Sequence, residues 1–119
     1  AFNAYVEMNE ANAELRATAR HKVRDAHKLA TTVGFGPRFL HSTGQLHKGG
    51  ANNGVFLQIT CDDPDAVEVP GEDFAFSLLK EAQQAGDFLA LSARDRRLLR
   101  VHLGGDVQAG LQKLIDALR

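Results

Sequence analysis

Gly54-Val55-Phe56-Leu57-Gln58-Ile59-Thr60 is nearly continuous apolar sequence rich in strand-forming side chains. A strand with one wet face alternates apolar and polar residues, whereas one buried on both faces does not, so this run predicts an inner strand of a parallel sheet. Working back along the chain, Leu29 to Val33 reads as a second strand ending at Gly34. Phe2 to Met8 reads as a third, with Phe2, Ala4, Val6 and Met8 on one face and Asn3, Tyr5 and Glu7 on the other. Between these two, Asn9 caps a helix whose apolar stripe is Ala11, Leu15, Ala19, Val23 and Ala26. Working forward, Cys61 to Asp73 carries six carboxylates and no base, and reads as a surface loop. A helix capped by Asp73 follows, with Gly86 at its C′ position and a short extra turn from Asp87 to Leu91. Arg97 to Leu103 reads as a fourth strand, with Leu99, Val101 and Leu103 inward and Arg100 and His102 outward. Gly104-Gly105-Asp106 then opens a final helix with Val107, Leu111, Leu114, Ile115 and Leu118 on one face. The alternation predicts an α/β fold: a three-layer domain with a small, mostly parallel sheet of four strands flanked by helices.

Composition bounds the function. The 119 residues are 44% hydrophobic and 24% charged, enough to bury one core without disulfides or a metal. Lys plus Arg (14) nearly balances Asp plus Glu (15), so no global field argues for nucleic acid or membrane as a partner, and no apolar run spans a bilayer. A lone cysteine, Cys61, forms no internal bridge, which together with the absence of a signal peptide points to the cytoplasm. Phe2 already stands in strand pattern behind Ala1, so residues 1–119 read as a single domain cut from a longer polypeptide.

In open α/β folds ligands gather at the carboxyl ends of the strands. The segment assigned there, Gly34 to Gly54, holds six of the eleven glycines, with Arg38, His41, Ser42, Thr43, Gln45, His47 and Lys48 and no carboxylate. Glycine-rich backbone, a helix N-terminus and two cations favour an anionic, hydroxyl-rich ligand such as a phosphorylated sugar. Gly34-Phe35-Gly36-Pro37 is also a plain strand-to-helix turn, with Pro37 as the first residue of a helix over Arg38 to Lys48. Neither GxGxxG nor GxxxxGK[ST] occurs, which argues against a nucleotide cradle. The absence of HExxH and CxxC argues against a metal site. Pairs such as His21 and His27, six apart, point roughly 120° away from each other on a helix, so both face solvent. Ser42 has no nucleophile elbow. Asp62 and Asp63 beside Cys61 raise the thiol and make it a poor nucleophile. Arg94, Arg96, Arg97 and Arg100 read as a solvated strand edge.

The stretch GFGPRFLHSTGQLHKGGANNGVFLQIT, Gly34 to Thr60, resembles the C-terminal sugar-isomerase (SIS-type) subdomain of glucose-6-phosphate isomerase. It is most similar to the variant fused behind transaldolase in bacterial bifunctional enzymes. The similarity continues through Pro70 to Phe76 and Arg97 to Gly104. The family's late Gly-Val-Glu-x-x-Lys motif falls on Thr43-Gly44-Gln45-Leu46-His47-Lys48, so the resemblance implies that Lys48 is the active-site lysine. Gln45 stands where the family has Glu, Thr43 where it has Gly, and His41 where it has an upstream Gln. Gln45, His41, Ser42 and Arg38 are the candidate substrate-binding residues. The implied reaction interconverts glucose 6-phosphate and fructose 6-phosphate without a cofactor or metal. The family's catalytic Glu and ring-opening His are expected from an upstream isomerase domain, which makes this chain half of a composite site. Homo-oligomerisation is compatible with that reading. Three alternatives stay open: another sugar-phosphate isomerase, a phosphosugar-binding module without turnover, and a domain that only completes an oligomer.

Overall fold

The computed structural model describes residues 1–119 and has the expected three-layer α/β architecture. Its elements are β1 (Phe2–Tyr5), α1 (Glu10–His27), β2 (Val33–Phe35), α2 (Ser42–Gly49), β3 (Val55–Thr60), α3 (Phe76–Ser92), β4 (Arg97–His102) and α4 (Val107–Ala117). The sheet is wholly parallel, in the order β2-β1-β3-β4. One face carries Phe2, Ala4 and Ile59, packed against Ala19 of α1 and Leu111 and Ile115 of α4. The other face lies under α2 and α3, and its filling is partly polar: Asn3, Tyr5, Gln58 and Thr60 are all buried there.

That second covered face adds what the period-2 pattern of β1 left open. Asn3 and Tyr5 alternate with Phe2 and Ala4 as expected, yet all four are buried, because β1 is an inner strand with a helical layer on each side. Arg100 and His102 are exposed, as expected, and make contacts along the α3 side of the edge strand. Arg100 donates to Gln58 Oε1 at 2.7 Å and lies over the Phe88 ring, and His102 Nδ1 sits 2.9 Å from Thr60 Oγ1. Leu99, expected inward, is 62% exposed on the edge strand, beyond the cover of α1 and α4.

Several boundaries move. Lys28 adopts the left-handed conformation that closes α1 (φ 54°), and β2 begins only at Val33, leaving Leu29 exposed in the connection. The helix expected over Arg38 to Lys48 starts at Ser42. Before it, the chain turns so that Phe39 packs edge-on against Tyr5, with turn bonds from Phe39 N to Phe35 O and from Leu40 N to Pro37 O. α3 starts at Phe76, not behind an Asp73 cap, and runs through Gly86 to Ser92. Continuing past a glycine costs about 1 kcal/mol. Burying Leu91 completely offsets that cost.

Candidate functional site

Lys48 occupies the last turn of α2, and its side chain runs back along the helix, where its ammonium would lie 3.6 Å from a Cβ on Gly44. Nζ meets Asp87 Oδ1 of α3 at 2.6 Å. The carboxylate side chain is only 2% exposed, whereas Lys48 keeps 24% of its side chain in solvent. Asp87 also neighbours Tyr5: burial first, and then the Asp87 charge, push the phenol well above its ordinary range. Tyr5 Oη and Asp87 Oδ2 are both shut off from solvent without a hydrogen-bond partner. A lysine on an open helix end is a mobile, solvated charge; this one is held by a carboxylate that the sheet and α3 keep from water.

The backbone under Lys48 is fixed from the residue that precedes β4. Arg96, expected as part of a solvated cluster, donates to His47 O at 3.1 Å, Lys48 O at 2.8 Å and Gly50 O at 2.7 Å, capping α2 where its carbonyls end. Arg97 does the same for the following loop, at Asn52 O and Gly54 O. These two arginines are structural braces.

His47 lies between the Phe39 and Phe56 rings, with Asn3 Nδ2 3.5 Å from its Nδ1. Burial holds the imidazole below its ordinary value, and the α-amino group and Lys48 push in the same direction against Asp87. The folded state therefore keeps His47 neutral where the unfolded chain, with an ordinary histidine near pH 6.5, takes up a proton. Stability contributed this way is present above about pH 6.5 and is lost as the pH falls toward the lower folded value. Urea midpoints measured between pH 7.5 and 5 are expected to fall with pH, and His47→Gln to flatten that slope. An unchanged slope in the variant would remove His47 as the titrating group.

The remaining sequence candidates do not converge on Lys48. His41, Ser42 and Gln45 are exposed on α2, with His41 at the N-cap making no capping bond. Arg38 is exposed and donates from Nη1 to Met8 Sδ at 3.0 Å. The polar surface of α2 and the Lys48–Asp87 pair are therefore two places, one outside and one half-inside the α2–α3 layer.

A third place was not singled out by the sequence. The chain leaves β1 toward β2 and leaves β3 toward β4, so the topological switch lies between β1 and β3. A cleft of about 500 Å³ opens there, lined by Glu7, Asn9 and Asn12 after β1, Asp62 and Asp63 after β3, and Asp106 and Gln108 at the start of α4. It contains four carboxylates and no lysine or arginine, so it repels phosphate. Each carboxylate is already engaged. Glu7 accepts from Asn9 at 3.3 Å, Asp62 faces His102 Nε2 at 3.0 Å, Asp63 pairs with Lys80, and Asp106 caps α4 at Ala109 N. Cys61 borders this cleft, and burial more than its acidic neighbours pushes the thiol up. The signal for this cleft was the step from Thr60 to Asp63 at the end of the strongest strand.

No family model matches the chain, and no curated protein matches it. Among solved structures, the crystal structure of a hypothetical protein, TT0462, from Thermus thermophilus is similar, with a TM-score of 0.65 at 21% identity. The match covers 96% of this chain and 32% of that one, so the chain spans about a third of the length of the solved structure. Similarity at this identity concerns the fold. No helix of the chain is long and apolar enough to cross a membrane.

Proposed function

We propose that this chain is one part of a composite, cytoplasmic aldose–ketose isomerase site acting on glucose 6-phosphate and fructose 6-phosphate, in a parent that also carries transaldolase. The observation that supports the reading is the Lys48–Asp87 pair: a partly exposed ammonium held at 2.6 Å by a buried carboxylate. Isomerisation moves a proton between C1 and C2 of the open sugar through an enediol. A fixed ammonium stabilises negative charge developing on the sugar oxygens and can donate a proton to one of them. Asp87 is committed to that ammonium, and the cleft carboxylates are engaged elsewhere, so the base that takes the carbon-bound proton belongs to the upstream domain.

The test is fructose 6-phosphate turnover by the full-length parent. Replacing the pair as a unit, Lys48→Met with Asp87→Leu, removes the ammonium without leaving a buried carboxylate unpaired, and is expected to lower kcat/KM by about a hundredfold, roughly 2.7 kcal/mol of transition-state stabilisation. Unchanged turnover would return Lys48 to a structural role. A wild-type parent without isomerase activity would leave phosphosugar binding without turnover as the better reading. A domain that only completes an assembly is favoured by a different observation, the exposure of Phe76 and Leu79 on the first turn of α3. Normal turnover in a parent lacking residues 1–119 would support it.

A further inference from the structure

Arg16 is the only lysine or arginine among the buried residues, with 4% of its surface exposed. It sits on α1 one turn after Asn12, and its guanidinium lies 3.4 Å above the centre of the Phe35 ring at the end of β2. Stacking covers the flat face of the cation and leaves its N–H edge unanswered. Nε and Nη1 are sealed from solvent without an acceptor, and the side chain enters no ion pair. Burial alone pushes the group down to about 10; no neighbouring acid pulls it back. Charges taken out of water are ordinarily paired or bound to something, because an uncompensated buried ion costs several kcal/mol.

The surrounding chain offers no internal partner. Between Asp25 and Asp62 there is not one carboxylate. That stretch contains β2 and α2, and the exit from β2 adds a second cation: Arg38, three residues after Phe35, exposed and in contact with nothing more polar than the Met8 thioether. The carboxyl edge of the sheet is thus divided, with carboxylates gathered over β3 and α4 and cations at β2.

We infer that Arg16, with Arg38 as a second cation, forms an oxyanion site at the carboxyl end of β2 that takes inorganic phosphate or the phosphate of a monoester. Nη2 is the nitrogen an incoming oxygen meets first, and the Phe35 ring fixes the plane of the guanidinium before the ligand arrives. The site shares Arg38 with the candidate substrate-binding residues but not Lys48, and its test reads binding by this chain, so its failure and the failure of the isomerase reading are distinguishable.

Calorimetric titration of the 119-residue chain with inorganic phosphate, at ionic strength held constant with chloride, tests it. Binding in the range of roughly 1 mM is expected. Arg16→Met keeps an apolar cover over Phe35 and is expected to weaken binding at least tenfold, and Arg38→Gln several-fold. Methyl phosphate in a second titration separates the sources: equal affinity marks a monoester site, and loss of binding marks a site for the free anion. No phosphate binding by the wild type, or equal binding by Arg16→Met, overturns the proposal. If Arg16→Met does not fold, the Arg16 Nε resonance of the wild-type chain decides. Movement on adding phosphate supports the site, and a stationary signal overturns it.

Discussion

Asp87→Ala is expected to destabilise the chain by about 3 kcal/mol in urea denaturation. Breaking a buried ion pair by removing one partner costs about 3–5 kcal/mol, because the other charge is left without compensation. The lower end applies here, since Lys48 retains 24% exposure and can recover part of its hydration by swinging outward. Against that recovery stands the hole left beside Tyr5, which is fully buried and whose hydroxyl has no hydrogen-bond partner. The loss should be largely insensitive to salt, because the carboxylate is out of reach of the ionic atmosphere. A double replacement, Lys48→Met with Asp87→Leu, is expected to restore most of the stability, since an apolar pair of similar volume avoids desolvating two ions. That double variant also separates stability from function: a parent carrying it would fold yet have no ammonium to present to a sugar. A cost below about 1 kcal/mol for Asp87→Ala would mean that the pair is a surface contact of the ordinary kind.

This pair marks the limit of what the sequence discloses. The layer order was legible because it rests on local patterns: the nearly continuous apolar run of β3 and the Val107, Leu111 and Ile115 stripe of α4 survive in the structure. What was not legible depends on partners brought from far along the chain. Lys48 meets a carboxylate 39 positions away that read as part of an extra turn behind Gly86, and Arg96 caps α2 from the far side of two elements. Alternation put Tyr5 and Asn3 on the second face of β1, while whether both faces are covered depends on where α2 and α3 land. Arg16 shows the same limit inside a helix. It follows Leu15 in the apolar stripe, and no periodicity argument places a guanidinium under an aromatic ring.

The glycines of the Gly34 to Pro37 turn carry the second large effect, and they separate packing from ligand approach. A Cβ on Gly36 would lie 2.5, 2.6 and 2.8 Å from three carbons of the Tyr5 ring. That ring cannot yield, because it is fully buried and set edge-on to Phe39 with centroids 5.5 Å apart. Gly36→Ala is therefore expected to cost about 3 kcal/mol or more, at the upper end of what overpacking a core exacts, with a clear fall in the thermal midpoint. Gly34→Ala, whose Cβ would approach Phe39 Cβ at 3.0 Å, should cost less, because Phe39 sits on a turn that can shift by a few tenths of an ångström. Gly49, at the end of α2, has nothing within 4 Å of such a Cβ, so Gly49→Ala should be neutral or slightly stabilising. If instead these glycines exist to let a ligand reach the backbone, the order reverses. Gly36→Ala would then melt like the wild type, and Gly49→Ala, beside Lys48, would be the variant that loses turnover in the parent.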